Sequence, residues 1–376
     1  MARRVITDDA EVLPEADRLA EYPHPRETKH LYGNEVAQAE LAAAIDNGAM
    51  HHAWLLTGKE GIGKATLAYR AAVYALADDG ERTPLLKVRA GIIAERQVIR
   101  LSHPGLLVIR RGYDVKTKRF PSAITVDEVR KLRSFLSHRH GPGQWRVVII
   151  DRADELNLNA ANALLKSLEE PPPLTVFFLI AIDAGKLLPT IRSRCRLLPL
   201  SPLSQEHTIA AAQAAFAAAH LEGEGKEPDL KEPDWSNIAS AAAGSPRRML
   251  ALVSENGNEI TQAVERIYSS LGALDISFQH TLAQRLSGNQ AHQDYELFLT
   301  LLFEKLASLI KAAALQPAGN LQSPAFLGAI TPQKLASWAE LWETLHREQR
   351  EVQALNLDRG AFLLDIFARL ERASQS

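Results

Sequence analysis

The chain has 376 residues, 46% of them hydrophobic and 23% charged, as in an ordinary globular protein of two or three domains. Its net charge of −2 at pH 7 gives no whole-protein basis for binding nucleic acid, so any such contact must be local or made through a partner. The single cysteine, Cys195, excludes an internal disulfide and a cysteine-based zinc site, and it favours a reducing compartment.

The sequence shows neither an export signal nor a membrane anchor. Met1 leads into a charged segment rather than an apolar signal core. No apolar run approaches the ~18 residues needed to span a bilayer. The run Leu297–Phe303 is cut by Thr300 and then by Glu304. We therefore expect a cytoplasmic protein that does not contact a membrane.

The first segments of the chain lead into a phosphate loop. Residues 1–28 are charged and contain prolines, which indicates a partly ordered arm. Glu35–Ile45 is a candidate amphipathic helix, and the apolar run Ala53–Leu56 is a candidate strand. A glycine-rich stretch at 58–66 then opens a helical segment that extends to Ala77. Strand, glycine-rich loop and helix, in this order, are the context in which such a loop binds phosphate.

The glycine-rich stretch supplies most of the candidate nucleotide-binding residues. Glycines let backbone N–H groups close around phosphate oxygens, the helix N-terminus adds partial positive charge, and Lys64 offers an ammonium to the outer phosphates. The pattern G-x-x-x-x-G-K-[ST] fails at its last position, because Ala65 cannot coordinate Mg²⁺. Thr66 is no substitute, since one residue along a helix turns the side chain by about 100°. The candidates are Gly58, Gly61, Ile62, Gly63, Lys64, Ala65 and Thr66.

A short strand, a basic hairpin and a helix are predicted next. Asp78–His103 is typical of helix and connection, and Leu106–Ile109 of a strand. Thr125–Glu128 has the spacing of a capping box and starts a helix with an apolar stripe. The hairpin before it either touches phosphates or forms a solvated loop, and the solvated loop is the favoured interpretation. Its basic residues are Arg110, Arg111, Lys116, Lys118 and Arg119.

A second anchor of the fold is the stretch Trp145–Asp151. An apolar β-branched run that ends in aspartate is typical of a buried parallel strand, and in phosphate-loop proteins its terminal carboxylate faces Mg²⁺. Asn157–Glu170 is then predicted as a helix that Pro171–Pro173 stops, and Thr175–Ile182 as another buried strand. Leu197–Leu200 follows as a further strand. Strands that alternate with helices predict a parallel sheet covered on both faces.

The composition changes after Ser201-Pro202, and mainly helical signals follow. Glu222–Asp234 is predicted as a loop, and Thr331-Pro332 as the N-cap and first position of a helix. No catalytic constellation is found after residue 258. The spacing of Phe298, Leu302, Leu306 and Leu309, and of Trp338 with Trp342, favours packing. The predicted helices are Ser204–His220, Asn237–Ala243, Arg247–Ser254, Asp294–Leu315 and Gly360–Leu370.

Several of these motifs together resemble those of bacterial clamp-loader subunits of DNA polymerase III, which belong to the AAA+ family. The resemblance is strong from about residue 30 to 200 and looser after that. It implies an α/β AAA+ P-loop domain with a parallel sheet at 1–200, a small helical lid at 201–257 and an all-α collar at 258–376. The motifs are His52–Leu56, Gly61–Thr66, Ile150-Asp151, Asn162–Pro172, Ser193-Arg194-Cys195 and Asn356–Asp358.

The resemblance assigns roles to two arginines. Arg194, in the Ser-Arg-Cys motif, is implied to be an arginine finger offered to the nucleotide of a neighbouring subunit. Arg247 resembles the lid arginine that contacts phosphate in the same chain. The alternatives are a surface ion pair for Arg194 and a surface charge on a helix for Arg247.

The hydrolytic machinery of the family's motor subunits is incomplete here. Those subunits carry glutamate after the aspartate, where this chain has Arg152, which has no acceptor for a proton. Their polar sensor would fall at Ala181 or Ile182, both apolar. With Ala65, three parts of the machinery are missing. ATP or ADP is therefore implied to bind weakly or structurally, and Asp151 is the candidate for a water-coordinated Mg²⁺.

The implied partners are the motor and clamp-opening subunits of a hetero-pentamer and, through that complex, the sliding clamp and primed DNA. Zinc is not expected, because the chain has no cysteine between residues 78 and 105. We expect a scaffold subunit that does not hydrolyse ATP and contains no polymerase site of its own. Two rivals stay open: an ATP-hydrolysing AAA+ motor subunit, and a phosphotransferase acting on a small molecule. The helical C-terminal part and the lack of an acceptor-binding motif argue against the phosphotransferase.

Overall fold

The computed structural model describes residues 14–19, 21–117, 119–137, 141, 143–221, 233–288, 291–315, 330, 333–355 and 357–375. Two compact units divide the chain, Met1–Leu250 and Ala251–Ser376. The division into three domains after residues 200 and 257 stays a prediction. Several sequence predictions lie outside the described residues: residues 1–13 of the arm, Lys118, most of the loop 222–234, Thr331-Pro332 and Asn356.

The first unit is built on a five-stranded sheet. Neighbouring strands of the sheet are parallel, in the order β4-β5-β6-β1-β7. An antiparallel hairpin of β2 with β3 lies in the segment predicted as helix and connection. The parallel sheet confirms the predicted α/β fold class. The strands are β1 (Ala53–Thr57), β2 (Arg82–Thr83), β3 (Lys87–Val88), β4 (Leu106–Ile109), β5 (Arg146–Ile150), β6 (Thr175–Ala181) and β7 (Arg196–Pro199).

Helices cover both faces of the sheet. Along β6, Phe178 packs with α1, α2 and α3, whereas Phe177 packs with α4, α5 and α6 on the other face. All seven residues of β6 are buried, so the strand has a continuous apolar run rather than an alternating pattern. The helices are α1 (Glu35–Asp46), α2 (Lys64–Leu76), α3 (Ile93–Ile99), α4 (Val126–Ser137), α5 (Leu158–Glu169), α6 (Pro189–Arg192), α7 (Gln205–Leu221), α8 (Trp235–Ala242) and α9 (Pro246–Val253).

Local signals explain where two of these helices begin. The side-chain oxygen of Asn157 accepts a hydrogen bond from the N–H of Ala160 at 2.8 Å, which caps α5, and prolines follow the end of that helix. Gly63, with φ of +99°, directly precedes α2. Because the strands are parallel, the segments that follow β1, β4, β5 and β6 all leave the same edge of the sheet. The candidate site lies at that edge.

The second unit is helical, as the sequence predicts. Its core contains Phe298, Leu302 and Leu306, and Trp338 is 1% exposed. Trp342 packs against this core and donates its indole N–H to the carbonyl oxygen of Phe303 at 3.1 Å. The helices are α10 (Glu255–Ser269), α11 (Ile276–Leu286), α12 (His292–Leu315), α13 (Leu335–Leu355) and α14 (Arg359–Gln375).

Three further features of the described residues bear on the chemistry that they could support. Within those ranges, none of the helices combines the length and apolar character needed to cross a bilayer. No group of three or more His, Cys, Asp or Glu side chains there is placed to hold a metal ion. Burial raises the pKa of the Cys195 thiol to about 11, so this side chain is a protonated packing group at neutral pH rather than a nucleophile.

Candidate nucleotide-binding site

The predicted phosphate loop joins β1 to α2 at the carboxyl edge of the sheet. Gly61 has φ of +73°, and a Cβ on it would lie 2.3 Å from Oγ of Ser245 and 2.5 Å from Cβ of Arg247. Both the backbone conformation and the available space therefore require glycine at this position. The same contacts show that the start of α9 packs directly on the loop.

Lys64 lies inside the loop rather than at the surface. The residue is 5% exposed, and its Nζ donates hydrogen bonds to the carbonyl oxygens of Gly58 at 2.7 Å and Lys59 at 2.5 Å. Burial lowers the pKa of this ammonium to about 8, against the opposing effect of the Glu60 and Asp151 carboxylates. The ammonium group of Lys64, which the sequence analysis assigns to the outer phosphates, is thus hydrogen-bonded to the loop's own backbone.

Asp151 follows β5, as predicted, and is buried at the same edge. Its N–H donates to the carbonyl oxygen of Ile109 at 2.9 Å, and the residue is 6% exposed. Burial raises the pKa of its carboxyl group, and the negative charge of the nearby Asp17 carboxylate raises it further. Two neighbouring carboxyl groups are not both ionised at low cost, so Asp151 holds a proton more readily than Asp17 does.

This neighbour of Asp151 belongs to a segment that the sequence did not assign to the site. We call residues 14–19 and 21–28 the N-terminal strap. Asp17 pairs with Arg110 at 2.7 Å and with Nε2 of His24 at 2.8 Å, and the exposed fraction of its side chain is 6%. Burial opposes ionisation of Asp17, but His24 and Arg110 hold the pKa of its carboxyl group well below its usual range.

Further contacts fix the strap in place. Glu15 pairs with Arg26 at 2.8 Å and with Arg110 at 2.5 Å. The Tyr22 hydroxyl donates to the carbonyl oxygen of Leu250 at 3.4 Å, and the buried His24 ring contacts the edge of the Tyr69 ring. This part of the predicted arm is therefore packed and ion-paired. Arg110, the ion-pair partner of Glu15 and Asp17, lies 93 to 95 residues away from them in the sequence, beyond the reach of any local pattern.

A cavity of about 400 Å³ brings most of the predicted residues together. Its walls include Gly61–Thr66 of the loop, Asp151 and Arg247, and also Asp17 and Tyr22 of the strap. Arg247 donates from Nη1 to the carbonyl oxygen of Asp17 at 3.0 Å. Gly58 is placed at the start of the loop, where its carbonyl oxygen holds Lys64, but it does not line the cavity.

The structure places the residues at the three positions where the resemblance leads us to expect hydrolytic groups in a motor subunit. Ala65 and Ile182 line the cavity, and Ala181 is the buried last residue of β6, opposite Thr57 of β1. Arg152 has φ of +58° and pairs with Glu155 at 2.9 Å and, more loosely, with Glu60 of the loop at 3.6 Å. A guanidinium therefore lies at the position where the resemblance predicts a carboxylate in a motor subunit.

Two members of the predicted basic hairpin face the site rather than solvent. Arg110 pairs with Glu15 and Asp17, and Arg111 pairs with Glu155 at 2.8 Å. The expectation of a solvated loop is thus wrong for these two arginines. The two arginines face the site because both follow β4, whose carboxyl end lies beside Asp151.

Arg194 lies outside the cavity. It follows α6, and 34% of its side chain is exposed. One guanidinium nitrogen contacts Oε1 of Glu169 at 2.7 Å, and the other donates to the carbonyl oxygen of Thr190 at 2.8 Å. The side chain therefore points to the surface of its unit, and the ion pair considered as an alternative is present.

Acid should weaken the strap through Glu15. Burial opposes its ionisation, but hydrogen bonds from Arg26 and Arg110 lower the pKa of Glu15 from 4.5 to about 2. A depressed pKa in the folded state stabilises the protein above pH 4.5, and this contribution is lost as the pH falls towards 2. We expect Glu15→Gln to lower the free energy of unfolding by about 2 kcal/mol at pH 7, and by less at each step below pH 4.5.

Urea unfolding of the two proteins between pH 7 and pH 3 measures this difference. Glu21→Gln is the matched control, because Glu21 is an exposed carboxylate of the same segment. We expect the control to match the wild type throughout. A Glu15→Gln penalty that stays constant down to pH 3 contradicts the ion-pair explanation.

Comparison with known proteins shows which family and which relatives this chain is similar to. Residues 33–204 match the family model described as DNA polymerase III, delta subunit. The chain is 37% identical over 163 residues to DNA polymerase III subunit delta' of Pseudomonas aeruginosa, covering 42% of this chain and 46% of that protein. It is 26% identical over 342 residues to subunit delta' of Escherichia coli, covering 89% and 93%. To subunit tau of E. coli it is 29% identical over 262 residues, covering 68% and 37%.

The match therefore spans less than half of the Pseudomonas relative and nearly all of the Escherichia delta' relative. Among solved structures, a gamma subunit-related protein of Thermotoga maritima is 16% identical, with a TM-score of 0.41, and covers 89% of this chain and 99% of its own. The RuvB Holliday junction branch migration motor of the same organism is 17% identical, with a TM-score of 0.38, and covers 79% and 83%.

Proposed function

We propose, from the premise that this chain belongs to the clamp-loader family of DNA polymerase III subunits, that it is a delta-prime-type scaffold subunit. It does not hydrolyse ATP itself. It offers Arg194 to the nucleotide of a neighbouring ATPase subunit, and it helps to load the sliding clamp on primed DNA during replication. Its place of action is the cytoplasm.

The observation that carries this proposal is the position of Arg194. Its guanidinium lies at the surface of the first unit and outside the chain's own cavity, so it cannot serve the phosphates of that cavity. An arginine that stabilises a transferring phosphoryl group must reach it directly. This position supports the proposal that Arg194 serves a nucleotide bound by another subunit.

The chain's own cavity supports the proposal that this chain does not hydrolyse ATP. It has Ala65 where a hydroxyl would bind Mg²⁺ and Arg152 where a carboxylate would orient water. The apolar Ala181 and Ile182 stand where a polar sensor would contact the outer phosphate. These substitutions remove groups that act on the transition state, and they leave the glycine cradle that holds the ground state.

The residues present fit a nucleotide better than they fit its metal. The glycine-rich loop lines the cavity and Lys64 offers a buried ammonium, so ATP or ADP has a cradle. Magnesium would be left with Asp151 through water, because Ala65 supplies no ligand. A bound nucleotide would therefore serve structure rather than chemistry. We propose no zinc.

The proposed partners follow from the same family. The relatives are named as subunits of DNA polymerase III, so this chain is expected in an assembly of several subunits. We place it in a hetero-pentamer beside motor and clamp-opening subunits, with the sliding clamp and primed DNA reached through that complex. The likeness to gamma and tau subunits favours the rival assignment, an ATP-hydrolysing motor. Measurable ATPase activity of the isolated chain would restore that rival.

The test of the proposed function is reconstitution. The full chain, wild type or Arg194→Ala, is combined with the motor and clamp-opening subunits, and DNA-stimulated ATP hydrolysis is followed. A loss of hydrolysis supports the finger assignment, and an unchanged rate ends it.

The ion pair with Glu169 allows a sharper comparison. If Arg194 serves only that ion pair, then Glu169→Gln and Arg194→Ala should change the complex in the same way. We expect Glu169→Gln to leave ATP hydrolysis within about fivefold of wild type, because a partly exposed ion pair contributes at most about 1 kcal/mol and Thr190 still accepts from the guanidinium. The same reconstituted assay measures both variants. Equal losses from the two substitutions would favour the ion-pair explanation.

A further inference from the structure

We propose that the N-terminal strap excludes nucleoside triphosphate from the chain's own cavity, and that Glu15 and Asp17 are the residues that determine this exclusion. The inference rests on the proposed function in one respect, the assignment of the cavity as a nucleotide site. It extends that function by naming the competitor of the nucleotide, a segment of the same chain.

Three arginines around the cavity already hold carboxylates of this chain. Arg110 pairs with Glu15 and Asp17, and Arg111 and Arg152 both pair with Glu155. A triphosphate carries several negative charges and needs such groups as partners. It must therefore displace existing ion pairs before it gains any of its own.

The strap also covers the place where a metal would approach. Asp17 and Asp151 both line the cavity, and both are largely buried. A carboxylate of the strap therefore lies in the cavity beside the residue that would face a hydrated cation. Binding of a metal–triphosphate complex would require Asp17 to leave.

The lid arginine is held by the same segment. Arg247 donates to the carbonyl oxygen of Asp17 at 3.0 Å, although the family resemblance assigns its guanidinium to phosphate. The strap itself is anchored by the buried side chains of Tyr22 and His24. An anchored segment that engages both Arg110 and Arg247, and that shares the cavity wall with Asp151, competes with a metal–triphosphate ligand.

This competition has a measurable consequence. When the binding-competent arrangement is a small fraction of the population, the apparent affinity falls by that fraction. Removing the two charges should release the strap and leave the glycine cradle and Lys64 unchanged. We expect the variant Glu15→Gln/Asp17→Asn to bind MgATP at least about tenfold more tightly than wild type.

Titration of the full-length proteins with MgATP, followed by calorimetry, tests this. Glu21→Gln is the matched control, and it should bind as the wild type does, because Glu21 is exposed. Adding Lys64→Ala to the double variant should abolish the gain, which places the binding at this loop. Equal binding by wild type and double variant, including no binding by either, overturns the proposal.

Hydrogen exchange keeps the proposal testable if the double variant does not fold. With MgATP bound to the wild type, the proposal expects faster amide exchange over residues 14–28. Unchanged or slower exchange there, in a protein that binds ATP, overturns it. If the wild type binds no ATP, the single variant Glu15→Gln decides by the same titration. The Arg194 assay does not use this cavity, so the two proposals fail separately.

Discussion

Replacing Arg194 by alanine is expected to lower ATP hydrolysis at the site it faces by about 10³- to 10⁵-fold. In the proposed role, the guanidinium stabilises negative charge that develops on the phosphoryl group as it is transferred, and alanine would leave that charge without a partner. ATP binding at the site should change little, because the effect belongs to the transition state. Single-turnover hydrolysis by the reconstituted complex on primed DNA measures the change.

The controls for this experiment lie close by in the chain. Arg192→Ala removes an exposed arginine two residues away and should leave hydrolysis unchanged. Arg194→Lys keeps a positive charge but loses the planar fork of donors, so we expect it to recover only part of the rate. The arginine fingers of the other ATP sites in the complex are also replaced, so that hydrolysis is observed only at the site that Arg194 is proposed to serve. Wild-type hydrolysis in a correctly assembled Arg194→Ala complex would show that the guanidinium has no role in trans.

The strands of the sheet can be predicted from the sequence, whereas the N-terminal strap at the cavity cannot. Strands β5 and β6 are continuous runs of apolar residues because both of their faces are buried, so pattern alone locates them. The observed strand Arg146–Ile150 lies within the predicted stretch Trp145–Asp151 and is one residue shorter at each end. The loop at 58–66 was predicted because its glycines and lysine are contiguous in sequence.

The strap illustrates what such patterns do not contain. Its residues show no periodicity, and its structure depends on Arg110, Asp151 and Arg247, which are distant in sequence. The arginines that follow β4 carried a weak signal, since the carboxyl ends of parallel strands meet at one edge. Only the fold shows that Glu15 and Asp17 reach them there. The hairpin β2–β3 was missed for a different reason, because strands of two residues are too short to alternate.

The isolated chain is expected not to hydrolyse ATP above the spontaneous rate. Each missing transition-state group lowers the rate by about 10²- to 10³-fold, and three such groups are absent at Ala65, Arg152 and Ala181 or Ile182. Their combined loss is larger than the margin by which an ordinary ATPase, turning over at about 1 s⁻¹ or faster, exceeds a detectable background. Phosphate release from the purified chain at saturating ATP measures this.

Restoring one missing group at a time shows whether ATP is not hydrolysed because catalytic groups are missing or because the site is blocked. Ala65→Thr alone should stay inactive, because Arg152 still holds Glu60 and Glu155 and supplies no acceptor for water. Lys64→Ala identifies contamination, since any activity that survives it belongs to another protein. Wild-type turnover near 1 s⁻¹ that Lys64→Ala abolishes would make this chain a motor. Its arginine at 152 would then be a substitution that hydrolysis tolerates, and the assignment of Arg194 to a neighbour would lose its main reason.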